Sequence, residues 1–418
     1  MSPTIDPRLL AAAERATPDM VRFLRAMIAI PSESASEARV VACVAEEMRA
    51  AGFDEVKIDG FGNVLGRIGS GPVVIAIDGH LDTVGVGDPS TWVRDPYAGA
   101  LENGVIYGRG ASDQEAGIAA AVHGAKLAKE LGLLEGVSLW VTGTVMEEDC
   151  DGLCWQYILR EGVLAPEVVV ITEPTKLGVY RGHRGRMEIE VRTQGRSAHG
   201  SAPERGDNAV YKMAPILLEV EQLNRDLAAS ADAFLGKGSV TVSEVRSTSP
   251  SLCAVADSCT IHLDRRLTRG ETLESAVAEI RALPSVERAG ASVTVLDYAR
   301  EGYTGLVYPT QKYYPTWVLA ESEPAVVAAV DAATQALGEP PRVDKWTFST
   351  NGVATRGMFG VPTVGFGPAD EIHAHTPDDQ CPVDHLTRAA AFYAAFPRAY
   401  LAAKRRARAS HAPDHEPP

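Results

Sequence analysis

Val137-Ser138-Leu139-Trp140-Val141-Thr142-Gly143-Thr144-Val145-Met146-Glu147-Glu148 is the stretch whose reading decides the fold. Its first nine residues read as a strand, and two adjacent carboxylates stand at its carboxyl end. Upstream come the helical pattern Glu115–Leu131 and the strand Val73–Ile77, and downstream the short apolar run Val168–Ile171. Further upstream, apolar groups recur at helical spacing over 20–29 (Val21, Leu24, Met27, Ile28) and 37–50 (Val40, Val41, Val44, Met48), the second closed by Gly52. Strand and helix alternate in this way to about residue 182, which predicts an α/β fold with a doubly wound, mostly parallel sheet and helices on both faces.

The pattern changes at Tyr180–Gly185. Residues 178–195 predict a strand with Met187, Ile189 and Val191 on one face, and 208–226 a helix with Asp207 as N-cap. Strands at 238–246 and 257–267, a helix at 271–282 and a strand at 291–298 complete a β-α-β-β-α-β order, the ferredoxin-like unit. The unit is inserted, because sheet-and-helix segments (Val326–Leu337, Val361–Phe366, Leu386–Leu401) return after it. The expected organisation is a discontinuous domain over 1–183 and 302–405, an inserted α+β domain over 184–301, and a flexible tail over 406–418. Residues 302–320, rich in Tyr, Pro and Trp, receive no regular structure.

Composition sets the outer limits. Of 418 residues 45% are apolar, enough for a full core, and no apolar run has the length of a membrane span. The N-terminus carries charges of both signs (Asp6, Arg8, Glu14, Arg15) rather than the apolar core of a signal peptide, so the expected location is cytoplasmic. Forty basic against 55 acidic residues leave a net charge of −15, without the basic footprint of a nucleic-acid binder. Six scattered cysteines are too few for a disulfide scaffold. Cys150 and Cys154, four apart on what reads as one helix turn, are either two packed thiols or a ligand or redox pair.

Ligands collect at the carboxyl ends of strands in open α/β sheets. His80, Asp113, Glu147 with Glu148, Glu173 and His375 each follow a strand or a glycine turn, and all lie outside the insert. Singly, each has an ordinary explanation: Glu147-Glu148-Asp149 as a solvated acidic turn, Asp113 as a helix cap, His375 as a structural imidazole. Together they form a histidine and carboxylate set suited to divalent metal, most naturally zinc. Asp82 shares a face with His80 in an extended segment and is placed to orient its ring.

Gly79-His80-Leu81-Asp82-Thr83-Val84, Gly108-Arg109-Gly110-Ala111-Ser112-Asp113, Glu147-Glu148, Glu173-Pro174-Thr175, Ser197-Ala198-His199-Gly200 and Ala374-His375-Thr376-Pro377 resemble the acetylornithine deacetylase / succinyl-diaminopimelate desuccinylase / aminoacylase / glutamate carboxypeptidase family of dizinc metallohydrolases. The likeness runs from about residue 20 to 400, and Glu147–Trp155 is most similar to the selenium-metabolism-linked hydrolase branch. The resemblance implies two divalent ions, zinc first and cobalt or manganese as alternatives. Asp113 would bridge them, His80 and Glu173 would complete one site, and Glu148 and His375 the other. Asp82 would orient His80, and Glu147 would serve as general base beside a metal-bound hydroxide. His199 would steady the oxyanion, in the same chain or across a homodimer formed through the insert. Arg266 would grip a substrate carboxylate, and Asn351 belongs to the substrate pocket. The implied reaction cleaves the amide of an N-acyl or N-carbamoyl amino acid or dipeptide-like substrate, with no nucleic-acid or membrane partner. Glu173, rather than aspartate, favours deacylases and carboxypeptidases over aminopeptidases. Departures from the pattern at Cys253, Asn351, Asp379 and Gln114-Glu115 touch no metal ligand but put the acyl and amino pockets in question. The other readings are an aminopeptidase-type member and a metal-stabilised binding or scaffold protein without catalysis.

Overall fold

The computed structural model describes residues 7–410. Asp6 and residues 411–418, which held part of the expected charged N-terminus and most of the expected tail, lie outside the described residues.

The larger sheet has eight strands, in the spatial order Glu55–Ile58, Val64–Ile68, Val137–Thr144, Val73–His80, Val168–Ile171, Thr363–Gly365, Val179–Tyr180 and Val343–Asp344. Its centre is parallel: Val73–His80 pairs in parallel with Val137–Thr144 on one side and Val168–Ile171 on the other, and Thr363–Gly365 continues that direction. Every residue of Val137–Thr144 is buried, as a strand covered on both faces must be. The chain leaves Val73–His80 toward one neighbour and returns to the opposite one, so the winding direction reverses at this strand. Such a reversal is where a doubly wound sheet opens a crevice at its carboxyl edge.

Four long helices, Pro7–Ile28, Glu115–Glu130, Pro324–Leu337 and Val383–Ser410, pack against one another around this sheet. Small residues let them approach closely. Glu115–Glu130 buries Ala116, Ala119, Ala120, Ala121, Ala125 and Ala128. A Cβ on its Gly124 would sit 2.8 Å from Tyr393 Cβ and 2.9 Å from the Ala390 carbonyl oxygen of the last helix. That last helix continues through the expected start of the tail to Ser410. The reason is local: Lys404 reaches Glu167 and Arg406 reaches Asp331, which tie the basic turns down.

The second sheet is antiparallel, ordered Ser239–Thr248, Ser258–Leu267, Gly185–Gln194, Ser292–Val295. Numbered along the chain this is 2-3-1-4, the ferredoxin-like order. Met187, Ile189, Val191, Ile261 and Leu263 face helices Ala209–Asp226 and Leu273–Arg281 and share a core with Met213, Ile216 and Ile280. The alternate residues, including Arg186, Glu188, Asp264 and Arg266, occupy the opposite face.

The structure adjusts two sequence expectations here. Asn208, not Asp207, caps the helix at Ala209, accepting from the Val210 and Tyr211 amides. Asp207 is instead held extended by pairing with Arg196, and its carboxylate takes Lys212. The unassigned segment 302–320 also contains short strands. Tyr313–Tyr314 pairs with Arg186–Met187 of the smaller sheet, and Trp317–Val318 pairs with Gly182–His183, so the outgoing and returning crossings form one ribbon.

Candidate metal centre

His80 is the last residue of its strand; one parallel neighbour ends level with it at Thr144, and the other ends at Ile171, level with Asp78. The backbone beyond those ends brings Glu147, Glu148 and Glu173 to the same edge. Asp113 arrives on the turn that precedes helix Glu115–Glu130. Asp379, fully buried, holds that turn: its carboxylate accepts from Gly110 N at 2.9 Å, Ser112 N at 2.6 Å and Arg109 Nη1 at 3.0 Å. Burial pushes the Asp379 carboxyl up to about 7 despite Arg109 beside it. His375 comes from the loop after Thr363–Gly365 and has a positive φ of 60°.

Six residues singled out from the sequence therefore converge. Asp113 sits in the middle, with Oδ1 3.0 Å from His80 Nε2 and Oδ2 3.3 Å from His375 Nε2. Glu173 Oε1 lies 3.4 Å from His80 Nε2, and Glu148 Oε2 lies 3.0 Å from His375 Nε2. Glu147 Oε2 is 3.9 Å from His80 Nε2. Ligand-capable atoms of His80, Glu147 and Glu173, and of His80, Asp113 and Glu148, gather within 4.8 Å of one another. The first grouping includes Glu147, which the sequence reading keeps as base. The pairing of Glu148 with His375 and the separation of the two Asp113 oxygens favour the reading in which Glu148 is the ligand.

The donor set fits divalent cations. Asp113 Oδ1, Glu147 Oε1, Glu148 Oε1 and Glu173 Oε2 are all buried without a hydrogen-bond partner. Asp113 Oδ1 lies 3.0 Å from His80 Nε2 without hydrogen-bond geometry. An unsatisfied buried acceptor costs about 1–3 kcal/mol, more when charged, and four at one point demand a shared positive partner. The electrostatics agree. Burial, with Asp113 next, pushes Glu173 up to about 8, and burial pushes Glu147 well above the carboxylate range. Hydrogen bonds to Asp113 and Glu148 raise His375 to about 10. Burial works against Asp113 ionising, but the two imidazoles hold it below its ordinary value.

Asp82 behaves differently from expectation. His80 Nδ1 donates to the Asp82 backbone carbonyl at 2.8 Å, while the Asp82 carboxylate is 3.8 Å from that nitrogen. The carboxylate instead accepts from Glu147 N at 3.1 Å, Glu148 N at 2.9 Å and Ser34 Oγ at 2.7 Å. It orients the ring through its backbone and the Glu147-Glu148 turn through its side chain.

A cleft of about 340 Å³ opens over the cluster, lined also by Asp151, Arg186, Arg266, Ser349 and Glu371. Arg266 faces it from the smaller sheet while gripping Asp264 at 2.8 and 3.0 Å. Asn351 is not in the cleft. It is buried, donates to Asp78 Oδ2 at 2.9 Å and Thr144 Oγ1 at 3.1 Å, and accepts from Gly152 N at 3.0 Å, so its amide is spent inside the core. His199 is also outside the cleft, on an exposed loop, with Nδ1 2.7 Å from Ser201 Oγ. Cys150 precedes helix Leu153–Arg160 rather than sharing it with Cys154. Both thiols are buried, beside Tyr314 Oη and Asn351 Oδ1, and burial raises them, Cys150 to about 12, which keeps them packed and protonated. Arg186 and Asp151 were missed by sequence reasoning. The strand alternation of Met187, Ile189 and Val191 marks Arg186 as facing away from the insert's core, but only the pairing of Arg186 with Arg266 across the sheet brings it to the cleft.

Residues 76–399 match the sequence profile of Peptidase family M20/M25/M40. The chain belongs to this family. It is 55% identical over 394 residues, 94% of this chain and 97% of the relative, to the uncharacterized protein YgeY of Escherichia coli (strain K12). A probable succinyl-diaminopimelate desuccinylase of Staphylococcus epidermidis is 31% identical over 208 residues, 49% of this chain and 51% of the relative. Among solved structures, a dinuclear metal binding peptidase of the M20 family from Bacillus subtilis superposes with a TM-score of 0.68 over 94% of this chain and 99% of its own, at 14% identity, a likeness of fold. The M20 chain is a hydrolytic enzyme with a mixed α/β fold, and no helix among its described residues is long and apolar enough to cross a membrane.

Proposed function

We propose that this M20 enzyme is a two-metal amidohydrolase acting on an N-acyl or N-carbamoyl amino acid or a dipeptide-like amide. The observation that carries the reading is Asp113, whose two oxygens address His80 and His375 separately, with Glu147 beside them. His80, Asp113 and Glu173 would hold one ion and Asp113, Glu148 and His375 the other, zinc in both. The ions would polarise the amide carbonyl and make water acidic enough to attack at neutral pH. Glu147 would take a proton from the attacking water and return it to the leaving nitrogen. Burial raises its pKa above the ordinary carboxylate value, and general-base help of this kind is worth about 10²–10⁴ in rate. Asp82 holds Glu147 and Glu148 apart and in register through their amides. Arg266 binds the substrate carboxylate.

His199 lies outside its own chain's cleft, and this supports a role in trans: in a homodimer built through residues 184–301 it would enter the partner's cleft as oxyanion donor. The domain division is 1–183 with 302–405 for the metal-binding part and 184–301 for the lid, and the enzyme acts in the cytoplasm. The test is direct. A chelator abolishes amide hydrolysis, zinc or cobalt restores it, and Glu147→Gln keeps its metal while losing turnover. Hydrolysis that persists after metal removal contradicts the proposal.

A further inference from the structure

Beyond the metal ligands and Glu147, the wall of the cleft carries two guanidiniums and two carboxylates: Arg186 and Arg266 against Asp151 and Glu371. Arg266 is already engaged by Asp264. Asp151 is matched more loosely, by Arg186 at ion-pair rather than hydrogen-bond distance. It is only 7% exposed, lines the cleft, and its buried Oδ2 has no hydrogen-bond partner. Among the described residues the cation within ion-pair distance is Arg186, whose Nε stands 3.6 Å from that oxygen and is itself without a hydrogen-bond partner. Arg186 is shared, because its guanidinium also stacks 4.8 Å from the Tyr314 ring and its Nη2 lies 3.7 Å from Glu188. Glu371 Oε2 is likewise buried without a partner, on the same cleft.

A wall of this charge pattern discriminates between amide substrates. A simple N-acyl amino acid brings a single carboxylate and a succinylated one brings two, and neither supplies a cationic donor for Asp151, only the amide N–H. Leaving a buried carboxylate oxygen without a hydrogen bond in the complex is costly, whereas a charge-assisted hydrogen bond to an ammonium is among the stronger polar contacts a site makes. We propose that Asp151 receives a free ammonium group of the substrate, so that the enzyme selects zwitterionic amides of the dipeptide type over N-acyl amino acids whose charge is purely negative. The inference rests on the hydrolase reading and narrows its substrate class. Asp151 is a binding residue here, four positions beyond the base and not itself a participant in bond cleavage.

The experiment compares isosteric pairs that differ by the amine alone, alanylglycine with propionylglycine and the same pairing across a panel of dipeptides, on zinc-reconstituted enzyme at about pH 7, where the α-amine is mostly protonated. Release of the C-terminal amino acid reports the same bond in both members. The wild type is expected to favour the amine-bearing member by at least about tenfold in kcat/KM. Asp151→Asn raises KM for that member by a similar factor and leaves KM for the desamino member nearly unchanged, with metal content intact, and Asp151→Glu recovers part of the preference. Any influence of Asp151 on the base alters kcat for both members alike, so the split in KM isolates binding. Equal loss for both members, or a wild-type preference for the desamino compounds, overturns the inference while leaving the hydrolase reading standing. Turnover of no compound of either kind by the reconstituted wild type overturns both.

Discussion

The carboxylate of Asp82 accepts the backbone N–H of Glu147 at 3.1 Å and that of Glu148 at 2.9 Å, so a residue two positions from His80 fixes the turn that carries the proposed base and a proposed metal ligand. Both oxygens are acceptors, and the Asp82 Oδ2 that faces Glu148 also takes Ser34 Oγ. Asp82→Asn must turn an N–H₂ against a backbone donor. The expected result is a folded protein whose metal affinity or turnover falls about 10–100-fold. Zinc titration by calorimetry together with kcat measures it, and unchanged values would show that the turn is held by other contacts.

Asn351 gives a contrasting prediction. Its amide satisfies the buried Asp78 carboxyl, the Thr144 hydroxyl and the Gly152 amide, outside the lining of the cleft. Asn351→Ala leaves Asp78 short of a donor and opens a small void. The variant should lose about 1–3 kcal/mol of stability in urea unfolding, with KM close to the wild-type value. A large KM change with full stability would return Asn351 to the substrate pocket.

His183 predicts acid sensitivity. Its ring is buried in the ribbon that joins the two sheets, Nδ1 donates to the Arg184 carbonyl at 2.8 Å, and Nε2 accepts from Trp317 Nε1 at 2.8 Å and Thr350 N at 3.2 Å. Burial lowers its pKa to about 4, against 6.5 for the free group. Because the unfolded chain binds the proton first, the His183 contribution is complete above pH ~6.5 and is lost as pH falls toward the folded value. The shift corresponds to at most about 3 kcal/mol. Urea unfolding of wild type and His183→Gln across that window should show a steeper acid decline for the wild type, and parallel curves would remove His183 as the cause.

The convergence of the candidate ligands was legible because they stand at strand ends, and strand ends are marked by apolar runs that stop. His80, Glu148 and Glu173 are readable for that reason, and Asp113 because its turn needs glycine at Gly108 and Gly110, both with positive φ. The insert was readable because its β-α-β-β-α-β order is local. Side-chain destinations were not. Whether Asn351 faces substrate or core, and whether the Asp82 carboxylate meets His80 or the Glu147 amide, depends on distances of an ångström set by distant segments. Arg186 and Asp151 meet only because the smaller sheet folds back over the larger one, and no periodicity in either segment records that approach.

The central claim is that Asp113 bridges two cations. Anomalous scattering from crystals grown with zinc, recorded on both sides of the zinc edge, tests it most directly. The account predicts two peaks about 3.5–4 Å apart, one against His80 and Glu173 and one against Glu148 and His375, with an Asp113 oxygen on each. A single peak, or a pair that does not flank Asp113, would contradict it.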